Sequence, residues 1–239
     1  MKNIPNIITS FNLAAGFLAI ILAAQGNLAG ASWIIIAAMV LDFLDGFAAR
    51  LLKAHSDFGR ELDSLSDMVS FGAAPALIMY RLIEGATNAD PAGAASGQGI
   101  LPSVLVLSTV IMPVCAALRL AKFNIDPAQK KSFLGLPTPA NALAVVSLVL
   151  SAHYSQSSLA GSLIAIPELL VLFTIILSFL MVARIPMLSL KISGFGFKGN
   201  EGRYILVILV IASFAVFGMS SFLLIVPLYI IVSLISRFF

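Results

Sequence analysis

Long apolar runs separated by short polar breaks dominate the chain, and they predict helices that cross a membrane. Runs near 11–27, 31–52, 60–83, 100–121, 138–156, 167–185, 203–218 and 221–237 each approach the ~20 residues that one crossing needs. The expected fold class is therefore all-α: a polytopic membrane helical bundle of about eight transmembrane helices. Residues 1–10 are too mixed to span and read as an interfacial lead-in. Residues 11–185 read as the core of a single integral-membrane domain. The final apolar stretch, 204–236, would be about 50 Å long as one helix, too long for one span. A turn is expected at Gly218-Met-Ser-Ser221, which makes 203–237 a helical hairpin.

Composition agrees with this pattern and charge orients it. Apolar residues make up 60% of the chain and charged residues 10%, the balance of a polytopic membrane protein. With the spans above, every Lys and Arg except Arg81 falls on one side. Such a bias puts both termini and the 50–60 turn in the cytoplasm. The net charge of +3 thus reads as a topology signal plus attraction to anionic lipid, not as a nucleic-acid footprint. Lys2 before an apolar run and Ala29-Gly-Ala31 resemble parts of a cleavable signal. The interruption at Pro5-Asn6 and the closing topology favour retention of the first helix. Cys115 has no second cysteine to pair with and reads as a small core residue.

Against this apolar background one stretch is acidic. Asp42-Phe-Leu-Asp45-Gly46-Phe-Ala-Ala49-Arg50 is followed, eight residues later, by Gly59-Arg-Glu-Leu-Asp63-Ser-Leu-Ser-Asp67. At 100° per residue, Asp42, Asp45, Gly46, Ala49 and Arg50 share an arc of about 140°, and Gly59, Asp63, Asp67 and Ser70 share another. Two facing helices would then offer two carboxylates each to a common space. Carboxylates at membrane depth are costly and mark function, and four together require cations. Hard oxygen ligands suit Mg²⁺ or Mn²⁺, with substrate phosphate or water completing the shell. Gly46, Ala49 and Gly59 leave room for a sizeable ligand, and Arg50 suits a phosphate oxygen. A carboxylate not fully engaged with metal can take a proton from an attacking hydroxyl. Ser56 or Asp57 is the expected N-cap of the second acidic helix, and Pro75 its expected kink. His55 reads as a solvated loop residue, His153 as remote, and Glu61 as a surface charge. There is no Ser–His–Asp set, P-loop or H-x-K-x(4)-D motif, so a covalent phosphohistidine route has no support.

The pattern D-x-x-D-G-x-x-A-R-x(8)-G-x(3)-D-x(3)-D, matched here at every position, resembles the signature of the CDP-alcohol phosphotransferases. The resemblance implies a six-helix core, extended here by the C-terminal hairpin, and a two-metal site holding a CDP-linked donor. It implies that Asp42, Asp45, Asp63 and Asp67 are metal ligands, with Asp67 also the general base. Gly46, Ala49, Arg50 and Gly59 would hold the cytidine and diphosphate. Members are commonly homodimers of the cytoplasmic membrane.

Ile4-Pro-Asn-Ile-Ile-Thr-Ser-Phe-Asn12, Phe71-Gly-Ala-Ala-Pro75-Ala, Arg119-Leu-Ala-Lys122-Phe-Asn124 and Gly135-Leu-Pro-Thr-Pro-Ala140 further resemble the family's phosphatidylserine synthase branch. That branch implies CDP-diacylglycerol and L-serine as substrates, with CMP released. Asn6, Thr9, Arg119, Lys122, Asn124 and Thr138 then become candidates for acceptor or phosphate contacts. Two positions depart from the branch: Lys122 stands for an arginine and Asn141 for a small residue. Lysine keeps the charge but loses the planar fork. Phosphatidylglycerophosphate synthase is the alternative within the same chemistry. A metal-ion or proton-coupled transporter is the alternative outside it, though its acidic residues would be expected near the midplane.

Overall fold

The computed structural model describes residues 3–54, 56–89, 105–125, 133–155, 158–188 and 200–236. Its helices are α1 (Ile4–Ala24), α2 (Leu28–Leu51), α3 (Asp57–Asp67), α4 (Ala74–Ala89) and α5 (Leu105–Ile125), then α6 (Thr138–Tyr154), α7 (Ser158–Ala165), α8 (Pro167–Val182), α9 (Glu201–Phe217) and α10 (Ile225–Ile235). Two short strands, β1 (Phe133–Leu134) and β2 (Pro186–Met187), pair antiparallel. Among the described residues four helical stretches are long and apolar enough to cross a membrane: α1, α2, α5 and Glu201–Ile235. A fifth is reached if α7 and α8, which meet at 97°, count as one broken span. The chain is thus mostly helical, in the manner of a polytopic membrane protein.

Several boundaries differ from the sequence expectation, each for a local reason. The expected lead-in, residues 1–10, is largely helix, because Pro5 sits in the first turn of α1, where its missing N–H costs nothing. The expected kink at Pro75 is preceded by a π-helical turn, Met68–Ala73, which joins α3 to α4. The Glu201–Ile235 stretch breaks at Gly218, whose φ of +55° is open to glycine and strained for other residues. Past this break the chain doubles back. A Cβ on Gly202 would lie 3.1 Å from the Ser236 side chain, so α9 and α10 run antiparallel. Residues 189–199 and most of the expected loop 85–99 lie outside the described residues.

α6 is buried on nearly every side, from Asn141 to Ser151, and forms the centre of the bundle. Phe71, Ile78 and Met79 from the α3–α4 stretch, Met112 from α5 and Leu170 from α8 fill the core with it, and Cys115 is buried there as expected. Outer faces are apolar and exposed, as a lipid-facing surface requires; Phe43 and Phe47 stack there on α2. Arg81, the one basic residue assigned to the far side, has a structural use. Its guanidinium donates to the Ala23 and Ala24 carbonyls at the end of α1 and pairs with Glu84 at 2.7 Å. It therefore caps carbonyls that a helix end leaves unsatisfied.

α1 packs tightly along α3 and the π-turn. The Ser66 hydroxyl donates to the Thr9 carbonyl at 3.2 Å, and the Ser70 hydroxyl to the Asn12 carbonyl at 3.0 Å. Gly16 completes the seam. A Cβ there would come within 2.7 Å of the Ser70 Cα, so only glycine permits this approach.

Candidate active site

The acidic seam is built from helix starts and helix phase. Ser56 caps α3, its Oγ accepting the Gly59 N–H at 3.0 Å, and Asp57 in the first turn complements the helix dipole. From that fixed start Asp63 and Asp67, four residues apart, face the same way. The short turn after Leu51 sets them opposite Asp42 on α2. One oxygen from each of Asp42, Asp63 and Asp67 lies within 4.8 Å of the others. Asp67 is buried and the other two are half-buried.

Like charges this close are unfavourable. At an effective dielectric of about 20, each pair roughly 5 Å apart costs about 3 kcal/mol. Asp42, Asp63 and Asp45 all act electrostatically on Asp67, and Asp67 Oδ1 has no hydrogen-bond partner among the described residues. Three converging hard oxygens in a largely apolar surrounding fit a divalent cation, which would replace the repulsion with attraction.

Asp45 is held differently from the other three. It is buried, and its Oδ2 lies 2.6 Å from the Thr9 hydroxyl of α1. That hydroxyl is also 3.0 Å from the Pro5 carbonyl, and its single proton serves one acceptor at a time. The four expected carboxylates thus resolve into a converging triad and a neighbour anchored to α1. Thr9, expected as an acceptor contact, is the residue that anchors it.

The small residues fall into two kinds. A Cβ added to Gly46 would meet nothing within 4 Å, so packing does not require glycine there and the space beside Asp42 and Asp45 stays open. Gly59 is different. Its added Cβ would lie 2.9 Å from Asn6 Oδ1 and 3.0 Å from Ser56 Oγ, so close packing and the helix cap constrain this position. Ala49 is half-buried, and Arg50 is exposed at the end of α2 with no ion pair among the described residues.

Across the seam, α5 brings basic and amide groups. Arg119 is buried and lies within electrostatic reach of Asp67. Its Nε has no hydrogen-bond partner among the described residues. Lys122 is half-buried, and Asn124 Nδ2 donates to Ser64 Oγ at 2.9 Å, tying the end of α5 to α3. Thr138, at the start of α6, is fully buried with its hydroxyl likewise unpartnered. One turn later Asn141 Nδ2 donates to the Phe71 carbonyl at 3.4 Å, so the amide standing for a small residue braces the π-turn. Glu61 is exposed beside Arg60. His153 lies with Gly26 and Asn27, at the end of α2 remote from Asp42. His55, Lys130 and Lys131 lie outside the described residues.

Sequence reasoning missed the π-turn directly after Asp67 and the serine contacts that seat α1. Asn12, on the same face of α1 as Thr9, is fully buried, and its amide has no hydrogen-bond partner among the described residues. The three-residue spacing of Asn6, Thr9 and Asn12 was the available signal for the α1 wall.

Comparison with known proteins gives the same direction. The family model described as CDP-alcohol phosphatidyltransferase matches residues 2–235. A CDP-diacylglycerol–serine O-phosphatidyltransferase of Bacillus subtilis (strain 168) is 37% identical, the match covering 77% of this chain and 89% of the relative. An enzyme of the same name from Helicobacter pylori (strain ATCC 700392 / 26695) is 31% identical over 98% of this chain and 91% of its own length. An archaetidylserine synthase of Methanothermobacter thermautotrophicus is 33% identical over 70% of this chain and 66% of the relative. With a signature intact at every position, an acidic triad formed by its residues and a family match along nearly its whole length, the chain belongs to the CDP-alcohol phosphatidyltransferase family.

Proposed function

We propose that this enzyme transfers the phosphatidyl group from CDP-diacylglycerol to the hydroxyl of L-serine, giving phosphatidylserine and CMP. The observation that carries the reading is the convergence of Asp42, Asp63 and Asp67 beside a buried Arg119. Relatives named for this reaction, matched over most of the chain, support the choice of acceptor. The reading includes the full expected topology: eight crossings in the inner membrane, with both termini and the site facing the cytoplasm.

In this reading Asp42, Asp45, Asp63 and Asp67 hold two divalent ions, Mg²⁺ or Mn²⁺. When bound, such ions neutralise the diphosphate and stabilise charge on the leaving phosphate. The protein supplies the remainder. Arg50 holds a diphosphate oxygen, while Gly46 and Ala49 leave space for the cytidine. Asp67 takes the proton of the serine hydroxyl as its oxygen attacks the phosphorus bearing the diacylglycerol. A new P–O bond forms to serine, the P–O bond to CMP breaks, and CMP departs to the cytoplasm. Serine carries its own carboxylate, and Arg119, with Lys122 and Thr138 nearby in the chain's acceptor motifs, is the group assigned to receive it.

The purified chain, given CDP-diacylglycerol and labelled serine, is expected to move label into lipid and release one CMP per lipid formed. CMP release with glycerol 3-phosphate, and none with serine, would replace this reading by phosphatidylglycerophosphate synthesis. The open space at Gly46 gives a second expectation. Gly46→Leu should fold normally but raise the KM for CDP-diacylglycerol about tenfold or more, because the new side chain occupies ligand space. An unchanged KM would remove Gly46 from the nucleotide site.

A further inference from the structure

The π-turn Met68–Ala73 starts at the residue after Asp67, so its shape sets the direction in which that carboxylate points. A π-turn holds one residue more than an α-turn and rotates the helix before it against the helix after it. Here the Ala74 N–H reaches back five residues to the Val69 carbonyl. The next residue, Pro75, has no N–H to give. In regular helix that N–H would go to the Phe71 carbonyl, four residues earlier. Phe71 is fully buried in the apolar core, so its carbonyl needs a donor from within the protein.

The donor comes from another helix. Asn141 on α6 is fully buried, and its Nδ2 donates to the Phe71 carbonyl at 3.4 Å. That is long for such a bond, and a small displacement would lose it. The residues on either side are held too. The Ser70 hydroxyl donates to the Asn12 carbonyl of α1 at 3.0 Å, and a Cβ on Gly72 would lie 3.0 Å from the Ala116 side chain of α5. Three consecutive residues of the turn thus meet three different helices. Of these contacts, that of Asn141 is the one that satisfies a carbonyl of the turn itself.

We propose that Asn141 is a positioning residue for Asp67: by standing in for the N–H that Pro75 lacks, it holds the π-turn in the shape that aims the Asp67 carboxylate into the triad. The inference deepens the reading of Asp67 as metal ligand and base, and rests on it. It also gives a use to an amide at a position where the resembling branch has a small residue. A smaller side chain would leave room for a water to serve the same carbonyl, whereas an apolar one of similar shape would leave it bare.

The test uses the full-length purified enzyme in lipid. Asn141→Leu keeps the heavy-atom count and the branching but loses the donor. It should lower kcat about tenfold or more and leave the KM for serine and for CDP-diacylglycerol within about twofold. Asn141→Ala admits water and should cost only about threefold. Were packing alone at stake the order would reverse, because the smaller residue leaves a cavity. Pro75→Ala restores the missing N–H, and in that background Asn141→Leu should cost less than about threefold, because the two changes act on one carbonyl. The rise in melting temperature on adding the activating ion, Mg²⁺ or Mn²⁺, should shrink in Asn141→Leu. Damage to packing alone would lower the starting temperature and leave that rise intact. Alanine costing more than leucine, equal losses with and without Pro75, a raised KM in place of a lowered kcat, or an undiminished rise with metal would overturn the positioning role. If Asn141→Leu does not fold, Asn141→Ala carries the test: its threefold loss should vanish in the Pro75→Ala background, and its persistence would overturn the role. Full turnover in Asp67→Asn would remove the reading of Asp67 and this inference with it. An inactive Asp67→Asn beside a fully active Asn141→Leu would remove the inference alone.

Discussion

Asp67→Asn is expected to lower turnover by on the order of 10²–10⁴-fold while CDP-diacylglycerol still binds. Asparagine matches aspartate in size, so the π-turn that begins at Met68 and the packing of α3 against α1 should survive. The variant exchanges one carboxylate oxygen of Asp67, a buried member of the triad whose Oδ1 has no hydrogen-bond partner among the described residues, for an amide nitrogen. An amide cannot take the serine proton, so the attacking oxygen stays a poor nucleophile. In the proposed reading Gly46, Ala49 and Arg50 hold the cytidine and diphosphate of the donor, and the change leaves them alone. Initial-rate assays paired with equilibrium binding of CDP-diacylglycerol separate the two steps. Turnover close to that of the unmodified enzyme would remove Asp67 as the base. Loss of binding together with turnover would recast it as a donor-site ligand.

Removal of divalent metal should have an effect at least as large. Stripped of metal by a chelator, the enzyme should fall to background activity and recover when Mg²⁺ or Mn²⁺ is restored. The reason lies in the triad: three carboxylates within 4.8 Å repel one another and would repel the donor's diphosphate. A metal-free protein should also show lower thermal stability, since an ion that binds only the folded state raises it. Full activity in excess chelator would end the metal assignment, and activity restored by Mg²⁺ alone or Mn²⁺ alone would name the ion.

The triad was legible in the sequence because its geometry is local. Asp63 and Asp67 are one helical turn apart, and the short turn after Leu51 leaves α2 little choice but to face α3. The Ser56 cap was legible for the same reason. Asp45 was not fully legible. Its partner Thr9 is 36 positions away, and no spacing rule reports which face of α1 meets it. The π-turn was invisible because one extra residue in a helical turn needs no distinctive residue type. Helix starts were misjudged at Pro5, where proline was read as an interruption and acts as a first-turn residue. The doubling back of α10 follows from the break at Gly218, which was anticipated. The bonds of Tyr229 and Ser233 to Leu188 are long-range and left no trace in the pattern.

The seam between α1 and α3 limits how the enzyme can breathe. Two serine hydroxyls bind carbonyls three residues apart on the first helix, and Gly16 sits flush against Ser70 just beyond them. Sliding by a single residue would break both bonds and push a bulkier neighbour into that gap. These two helices therefore travel as one stiff panel, and in the proposed reading a two-tailed lipid donor would enter along some other edge of the bundle.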